Sequence, residues 1–99
     1  MDDDSQAYLA ITRLQSRYAD IATRQAWDEM ADLAVDGARF TFDLRIGQVL
    51  EFVGPAALAK FGAGATAGFS FYEYLPINTV VDVTSATTAT GRFYSLEVG

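Results

Sequence analysis

AYLAITRLQSRYADIATRQAWDEMADL, residues 7–33, is the stretch that decides the fold of this chain. Its apolar residues recur three or four apart, which is the spacing of one face of an α-helix. The residues of this stripe are Ala7, Tyr8, Ile11, Leu14, Tyr18, Ile21 and Ala22. A helix with such a stripe must bury it against another layer, and the segments that follow are predicted strands.

The first helix is expected over residues 6–24, with Asp4 or Ser5 as its N-terminal cap. A second, short helix is expected over residues 27–34. Its start is poorly capped, because Ala26 stands where Asp or Ser would be favoured. Asp20 stands four residues before Arg24, which is the favourable order for a helical ion pair.

Gly54-Pro55 predicts the start of a third helix, with Pro at its first position. The run GAGATAG at residues 62–68 predicts a flexible linker, and without a Lys-Ser/Thr pair it does not match a phosphate loop. Alternating apolar residues predict strands in the rest of the chain, the last two of which form a hairpin. The predicted strands are residues 38–43, 49–53, 69–75, 79–84 and 89–98.

The composition describes one globular domain of 99 residues, 51% hydrophobic and 20% charged. Its net charge of −6 argues against nucleic acid as a partner, since phosphate binding relies on clustered Lys and Arg. No apolar run is long enough to span a bilayer, and the acidic start is unlike a signal peptide. We therefore expect a cytoplasmic protein with no membrane partner.

The chain contains neither cysteine nor histidine. Disulfides, thiolate nucleophiles and sulfur ligands are thereby excluded, and the side chain best suited to proton transfer near neutral pH is missing. We expect no metal and no other cofactor. Any catalysis by these residues depends on carboxylates, phenols, Lys, Arg or backbone groups.

Several short motifs in a fixed order resemble the SnoaL-like, nuclear transport factor 2-like superfamily. They are RYAD (17–20), WD (27–28), ADL (31–33), DGARF (36–40), NTVVDV (78–83) and ATGRFY (89–94). The resemblance covers almost the whole chain. It implies a single domain over residues 1–99 of the α+β class, in which N-terminal helices pack on a strongly curved antiparallel sheet. Helices and sheet together form a cone around an apolar pocket.

Members of this superfamily usually continue past the strand that resembles residues 89–98, with at least two further strands. We therefore expect a C-terminally truncated member with an incomplete sheet; the alternative is that a partner supplies the missing edge. An unpaired apolar edge strand favours association. A homo-oligomer through the sheet is accordingly a further expectation.

The resemblance carries over only in part to the family's catalytic residues. In the isomerases a helix-one tyrosine binds the developing enolate oxygen, and Tyr18 stands at that position. The partner aspartate position corresponds to Phe42, and Asp43 points to the other face of the strand. In the dehydratases a helix-one carboxylate corresponds to Thr23 and one histidine to Tyr74. Both catalytic sets are incomplete.

We predict that Tyr18 and Tyr74 are the catalytic candidates, and that Phe42, Tyr72 and Asn78 join them in binding a ligand. Each tyrosine has a structural alternative, as a core or strand aromatic whose hydroxyl finds a local partner. Asn78 has the alternative of a turn residue at the start of a strand.

The orientation of Glu73 is left open by the sequence. It shares a predicted face with Phe69, Phe71 and Leu75. If that face points inward, Glu73 could act as an acid or base; if outward, it is solvated.

Two functions remain. The first is a lyase or isomerase that acts by proton transfer on a small apolar molecule bearing a carbonyl or an aromatic ring. If the chain is a fragment, the full-length protein from which it comes, here called the parent, would be a dehydratase, isomerase or cyclase. The second is a ligand-binding or dimerisation module without activity. The missing histidine and displaced aspartate favour the second for this chain, whereas the family resemblance favours the first for the parent.

Overall fold

Helix α1 (Asp3–Arg24) begins earlier than predicted and has a different cap. The computed structural model describes residues 2–99. Asp2, rather than Asp4 or Ser5, caps the helix, since its Oδ1 accepts a hydrogen bond of 2.7 Å from the Ser5 N–H. That bond satisfies one of the N–H groups that the first helical turn leaves without a partner.

The C-terminal end of α1 is held by Arg24. The predicted ion pair is present, with Nη2 of Arg24 2.9 Å from Oδ2 of Asp20. The same guanidinium lies 2.9 Å from a carboxylate oxygen of Glu29, in the 3₁₀ helix Trp27–Asp32. Because all three side chains are substantially exposed, the pairs add little stability.

The 3₁₀ helix Trp27–Asp32 is shorter and tighter than the predicted helix, and Ala26 indeed offers it no side-chain cap. It carries two of the residues on which the core is built, Trp27 and Met30. The complete core cluster is Ile21, Ala22, Trp27, Met30 and Leu58.

The stripe of α1 is buried only in its C-terminal half. Ile21 and Ala22 are each 1% exposed, whereas Tyr8 and Leu14 remain 42% and 45% exposed. The N-terminal half of the stripe lies beyond the core cluster, so that part of the helix has less apolar surface to pack on.

Strands β1 (Arg39–Phe42) and β2 (Leu50–Val53) form an antiparallel pair, and helix α2 (Pro55–Thr66) follows. Pro55 stands at the start of α2 as predicted. The prediction of a linker over residues 62–68 was wrong, because the helix continues to Thr66. Gly62 lies within this helix and faces the indole of Trp27, where a Cβ would lie 2.6 Å from ring atom Cζ3.

Strand β3 (Glu73–Val83) is one strand where the sequence predicts two, and it pairs antiparallel with β4 (Ala89–Val98) as the predicted hairpin. It runs through Pro76, which an edge strand tolerates because one side of it needs no hydrogen bonds. A bulge between Pro76 and Thr79 places two β3 residues opposite one β4 residue.

In the part of the chain that the structure describes, four strands form two antiparallel sheets of two strands each, and helix α1 packs on β3. The predicted α+β class, with N-terminal helices against antiparallel strands, is thereby confirmed, and the sheet is not closed. Between residues 2 and 99, no helix is long and apolar enough to cross a membrane.

We predict that Gly62→Ala destabilises the protein by about 1–3 kcal/mol, because the new methyl group has to displace the buried Trp27 ring. The matched control is Gly64→Ala in the same helix, where a Cβ meets nothing within 4 Å. There the gain in helix propensity should stabilise by roughly 0.5–1 kcal/mol. Urea unfolding of both variants measures the difference, and equal midpoints would contradict it.

Candidate functional site

A cavity of about 190 Å³ lies between the helices and the β3–β4 hairpin. Tyr18 of α1 and Trp27 of the 3₁₀ helix form one side, and Tyr72 and Glu97 of the hairpin region form another. The remaining lining residues come from the end of β1, the loop after it, and α2: Phe42, Leu44, Leu58, Phe61, Gly62, Ala65 and Thr66. The walls are mostly apolar, with a few hydroxyls and one carboxylate.

The polar groups in the wall formed by α2 are hydrogen-bonded to one another or to Trp27. Nε1–H of Trp27 donates a buried hydrogen bond of 3.1 Å to Oγ1 of Thr66. The Thr66 hydroxyl in turn donates to the Gly62 carbonyl at 2.8 Å. Throughout residues 2–99, no buried side-chain nitrogen or oxygen lacks a partner. These groups therefore shape the cavity rather than offering it a binding group.

Tyr18 is oriented by the ring of Tyr74, and Tyr74 is in turn bonded to Thr23. The rings of Tyr18 and Tyr74 meet edge to face, with centroids 5.3 Å apart and planes at 83°. The Tyr74 N–H donates to Oγ1 of Thr23 at 2.8 Å, which ties β3 to α1. Thr23, at the position that resembles the dehydratase carboxylate, thus accepts a backbone hydrogen bond.

Tyr72 and Glu97 form the polar side of the cavity. The phenol of Tyr72 donates a hydrogen bond to Oε1 of Glu97. Glu97 is the register partner of Tyr74, so the two side chains share the inner face of the hairpin. Burial and the bond to Glu97 raise the pKa of Tyr72 well above its ordinary value.

Burial also raises the pKa of Tyr18, to about 12, and the nearby Tyr74 and Glu97 reinforce the shift electrostatically. Its phenol therefore keeps its proton across the physiological pH range. A neutral phenol in a largely apolar cavity can donate a hydrogen bond to a ligand oxygen.

The predicted site residues fall into three groups. Tyr18, Phe42 and Tyr72 line the cavity. Tyr74 lies behind Tyr18 and contacts its ring. Asn78 is exposed in the bulged part of β3, apart from the lining residues.

Glu97 is the residue that sequence reasoning missed. Between the bulge and the turn, the strands pair in the register of Val83 with Ala89. Beyond the bulge the register shifts by one residue, so that Tyr74 pairs with Glu97. An uninterrupted hairpin would have paired Glu97 with Leu75, on the β3 face that carries Glu73 rather than Tyr74. Glu73, the carboxylate considered instead, is opposite Val98 and faces away from the cavity.

The cavity holds no set of metal ligands. Across the described range, residues 2–99, no three carboxylates are grouped so that they could hold a metal ion. The cavity lining includes two phenols and one carboxylate, which are groups that can form hydrogen bonds and transfer protons.

The fold and the cavity define a class: an α+β domain in which helices and antiparallel strands enclose a small, mostly apolar pocket. The model of the SnoaL-like domain family matches residues 3–99, and the chain belongs to this family. A comparison with curated proteins found no match.

Two solved structures share the fold. A proposed scytalone dehydratase from Novosphingobium aromaticivorans superposes with a TM-score of 0.80 at 22% identity, covering 97% of this chain and 62% of that one. The protein Aln2 from a Streptomyces species superposes with a TM-score of 0.73 at 18% identity, covering 93% of this chain and 64% of that one. The chain thus spans less than two thirds of either neighbour.

We predict that the protein loses stability between about pH 10 and pH 12 through Tyr18, whose pKa rises from an ordinary 10.0 to about 12 on folding. The folded state favours the neutral phenol, so this contribution is complete below pH 10 and lost as the pH approaches 12. Allowing for solvent screening, it amounts to about 1–2 kcal/mol. Thermal melting across this range should show a steeper decline for the wild type than for Tyr18→Phe, and parallel curves would contradict it.

Proposed function

We propose that the cavity binds a small apolar molecule bearing a carbonyl or an aromatic ring, and that the protein transforms it by proton transfer as a lyase or isomerase. One observation carries the proposal: Tyr18, Tyr72 and Glu97 converge on a cavity whose other walls are mostly apolar. The apolar walls would hold the body of the molecule. The two phenols and the carboxylate would supply orientation and proton-transfer groups.

The size of the cavity favours a molecule with a single ring. A dry protein cavity of about 150 Å³ accommodates benzene, and this one measures about 190 Å³. A monocyclic aromatic ketone fits these dimensions, with its ring against Phe42 and Phe61 and its oxygen toward Tyr18. The shared fold with a proposed scytalone dehydratase makes loss of water a reaction to consider first.

Tyr18 would act as the hydrogen-bond donor to the ligand carbonyl. Its raised pKa keeps the phenol protonated, and the edge contact with Tyr74 limits the positions open to its ring. A donor held in this way stabilises negative charge that develops on the oxygen during reaction more than it stabilises the neutral carbonyl.

Tyr18→Phe is expected to weaken binding of acetophenone about fivefold, corresponding to about 1 kcal/mol for one hydrogen bond. α-Methylstyrene, in which a methylene replaces the carbonyl oxygen, should bind both variants equally. Isothermal titration with the two ligands measures the effect. Equal losses for both ligands, or a large drop in the thermal midpoint without ligand, would identify Tyr18 as an ordinary core residue.

The second candidate, a dimerisation module, is supported by the outer face of the hairpin. Its exposed apolar side chains are Ile77, Val80, Tyr94, Leu96 and Val98. Asp82 and Arg92 lie on neighbouring positions of the same hairpin face, so the surface carries both charges and can pair with a second copy of itself. We propose a homo-oligomer formed through this face.

Sedimentation at increasing concentration tests the oligomer. The wild type should associate, and Leu96→Lys should shift it to the monomer, because a charge would then be buried at the contact. Val35→Lys, a change at a residue outside the hairpin that is 76% exposed, is the control and should associate like the wild type. A wild type that stays monomeric at every concentration would contradict the proposal.

A further inference from the structure

Glu97 is the one carboxylate that lines the cavity within residues 2–99. It comes from β4, near the end of the hairpin, and it lies beside Tyr74 only because the β3 bulge shifts the register. Its side chain is exposed to solvent on one side and bonded to Tyr72 on the other. A carboxylate at the edge of an apolar cavity has access both to a bound ligand and to water.

We propose that Glu97 is the catalytic base of this site and removes a proton from the carbon next to a ligand carbonyl, with Tyr72 as its positioning residue. The inference rests on the proposed function of the cavity and goes beyond it by naming the group that moves the proton. The matching substrate class is a single-ring ketone with a C–H bond adjacent to the carbonyl.

The hydrogen bond from Tyr72 makes the two oxygens of the Glu97 carboxylate inequivalent. Oε1 accepts the phenol O–H, which fixes the orientation of the group. Oε2 is then the oxygen that takes the substrate proton. A base held by a second side chain in this way needs less rearrangement when the ligand arrives.

The proton transfer balances within the site. The substrate C–H bond breaks as the new O–H bond forms on Glu97, and the electron pair moves onto the carbonyl oxygen as an enolate. Tyr18 donates its hydrogen bond to that oxygen. Where a carbon–carbon double bond follows the α-carbon, the enolate is a dienolate, and return of the proton from Glu97 to the far end of that double bond gives the conjugated isomer. Where the β-carbon carries a hydroxyl group, the enolate expels it, the Glu97 proton leaves with it as water, and an unsaturated ketone remains. Both outcomes restore the Glu97 carboxylate.

Nearby carboxylates have other roles in the structure. Asp20 is paired with Arg24 on the exposed side of α1. Asp43 is exposed and accepts a hydrogen bond of 3.0 Å from the Arg45 N–H. Glu73 lies on the opposite face of the hairpin from Glu97.

Exchange of the acetophenone methyl protons in D₂O, followed by proton NMR, tests the assignment. The wild type should accelerate the exchange above the buffer rate, and Glu97→Gln should remove at least about 99% of that acceleration, since positioned general bases contribute roughly 10²–10⁴-fold. The control Glu73→Gln should exchange like the wild type. Binding of α-methylstyrene should be the same in all three proteins, which shows that the cavity is intact.

Tyr72→Phe tests the positioning role separately. The exchange rate at saturating acetophenone should fall, while the affinity for α-methylstyrene and the thermal midpoint stay unchanged. A purely structural tyrosine would instead lower the midpoint and leave the rate per folded molecule as it was.

The outcomes separate the two proposals. Exchange by Glu97→Gln at the wild-type rate overturns the assignment of Glu97. Tyr18-dependent binding without any exchange above buffer also overturns it, while the binding site itself stands. Failure of both ligands to bind the wild type overturns the proposed function together with the role of Glu97.

Discussion

The contact between Trp27 and helix α2 is the constraint on which the rest of the structure depends. The indole packs so closely against Gly62 that a Cβ there would have to displace it, and its N–H is bonded to Thr66 one turn further along. This contact fixes α2 against the 3₁₀ helix, and Ile21 and Met30 complete the core around it. The same indole forms part of the cavity wall. Stability and the shape of the site therefore depend on the same few atoms.

The β3 bulge is the second constraint, because it decides which side chains of the hairpin face the cavity. It shifts the register by one residue, and a shift of one residue exchanges the two faces of a strand. Tyr74 consequently lies inward beside Glu97 and Tyr72, while Glu73 lies outward. The bulge thereby brings the Glu97 carboxylate close to the tyrosine side chains, in a protein whose sequence contains no histidine.

The aromatic residues around the cavity pack on one another and also join separate secondary structure elements. Tyr74 supports the Tyr18 ring and uses its backbone N–H to bind Thr23, so that α1 and β3 are joined behind the cavity. Tyr18 is thereby held in a partly buried position where its phenol remains neutral. The structural and ligand-binding interpretations of these tyrosines are compatible, because the packing that fixes a ring also fixes its hydroxyl.

The sequence by itself determined the family and three local features: the apolar stripe of α1, the Pro at the start of α2 and the final hairpin can each be predicted from the spacing of a few neighbouring residues. Tertiary structure alone decided that α2 continues through its glycines and that Glu97 joins the tyrosines at the cavity. Within α2, Gly62 packs on Trp27 and Thr66 is bonded to the same indole, which is remote in sequence. Glu97 shares a face with Tyr74 because a bulge in the partner strand changes the pairing. The periodicity of a segment predicts whether it forms a helix or a strand. Which faces of the helices and strands pack together depends on contacts between distant segments, which no local pattern contains.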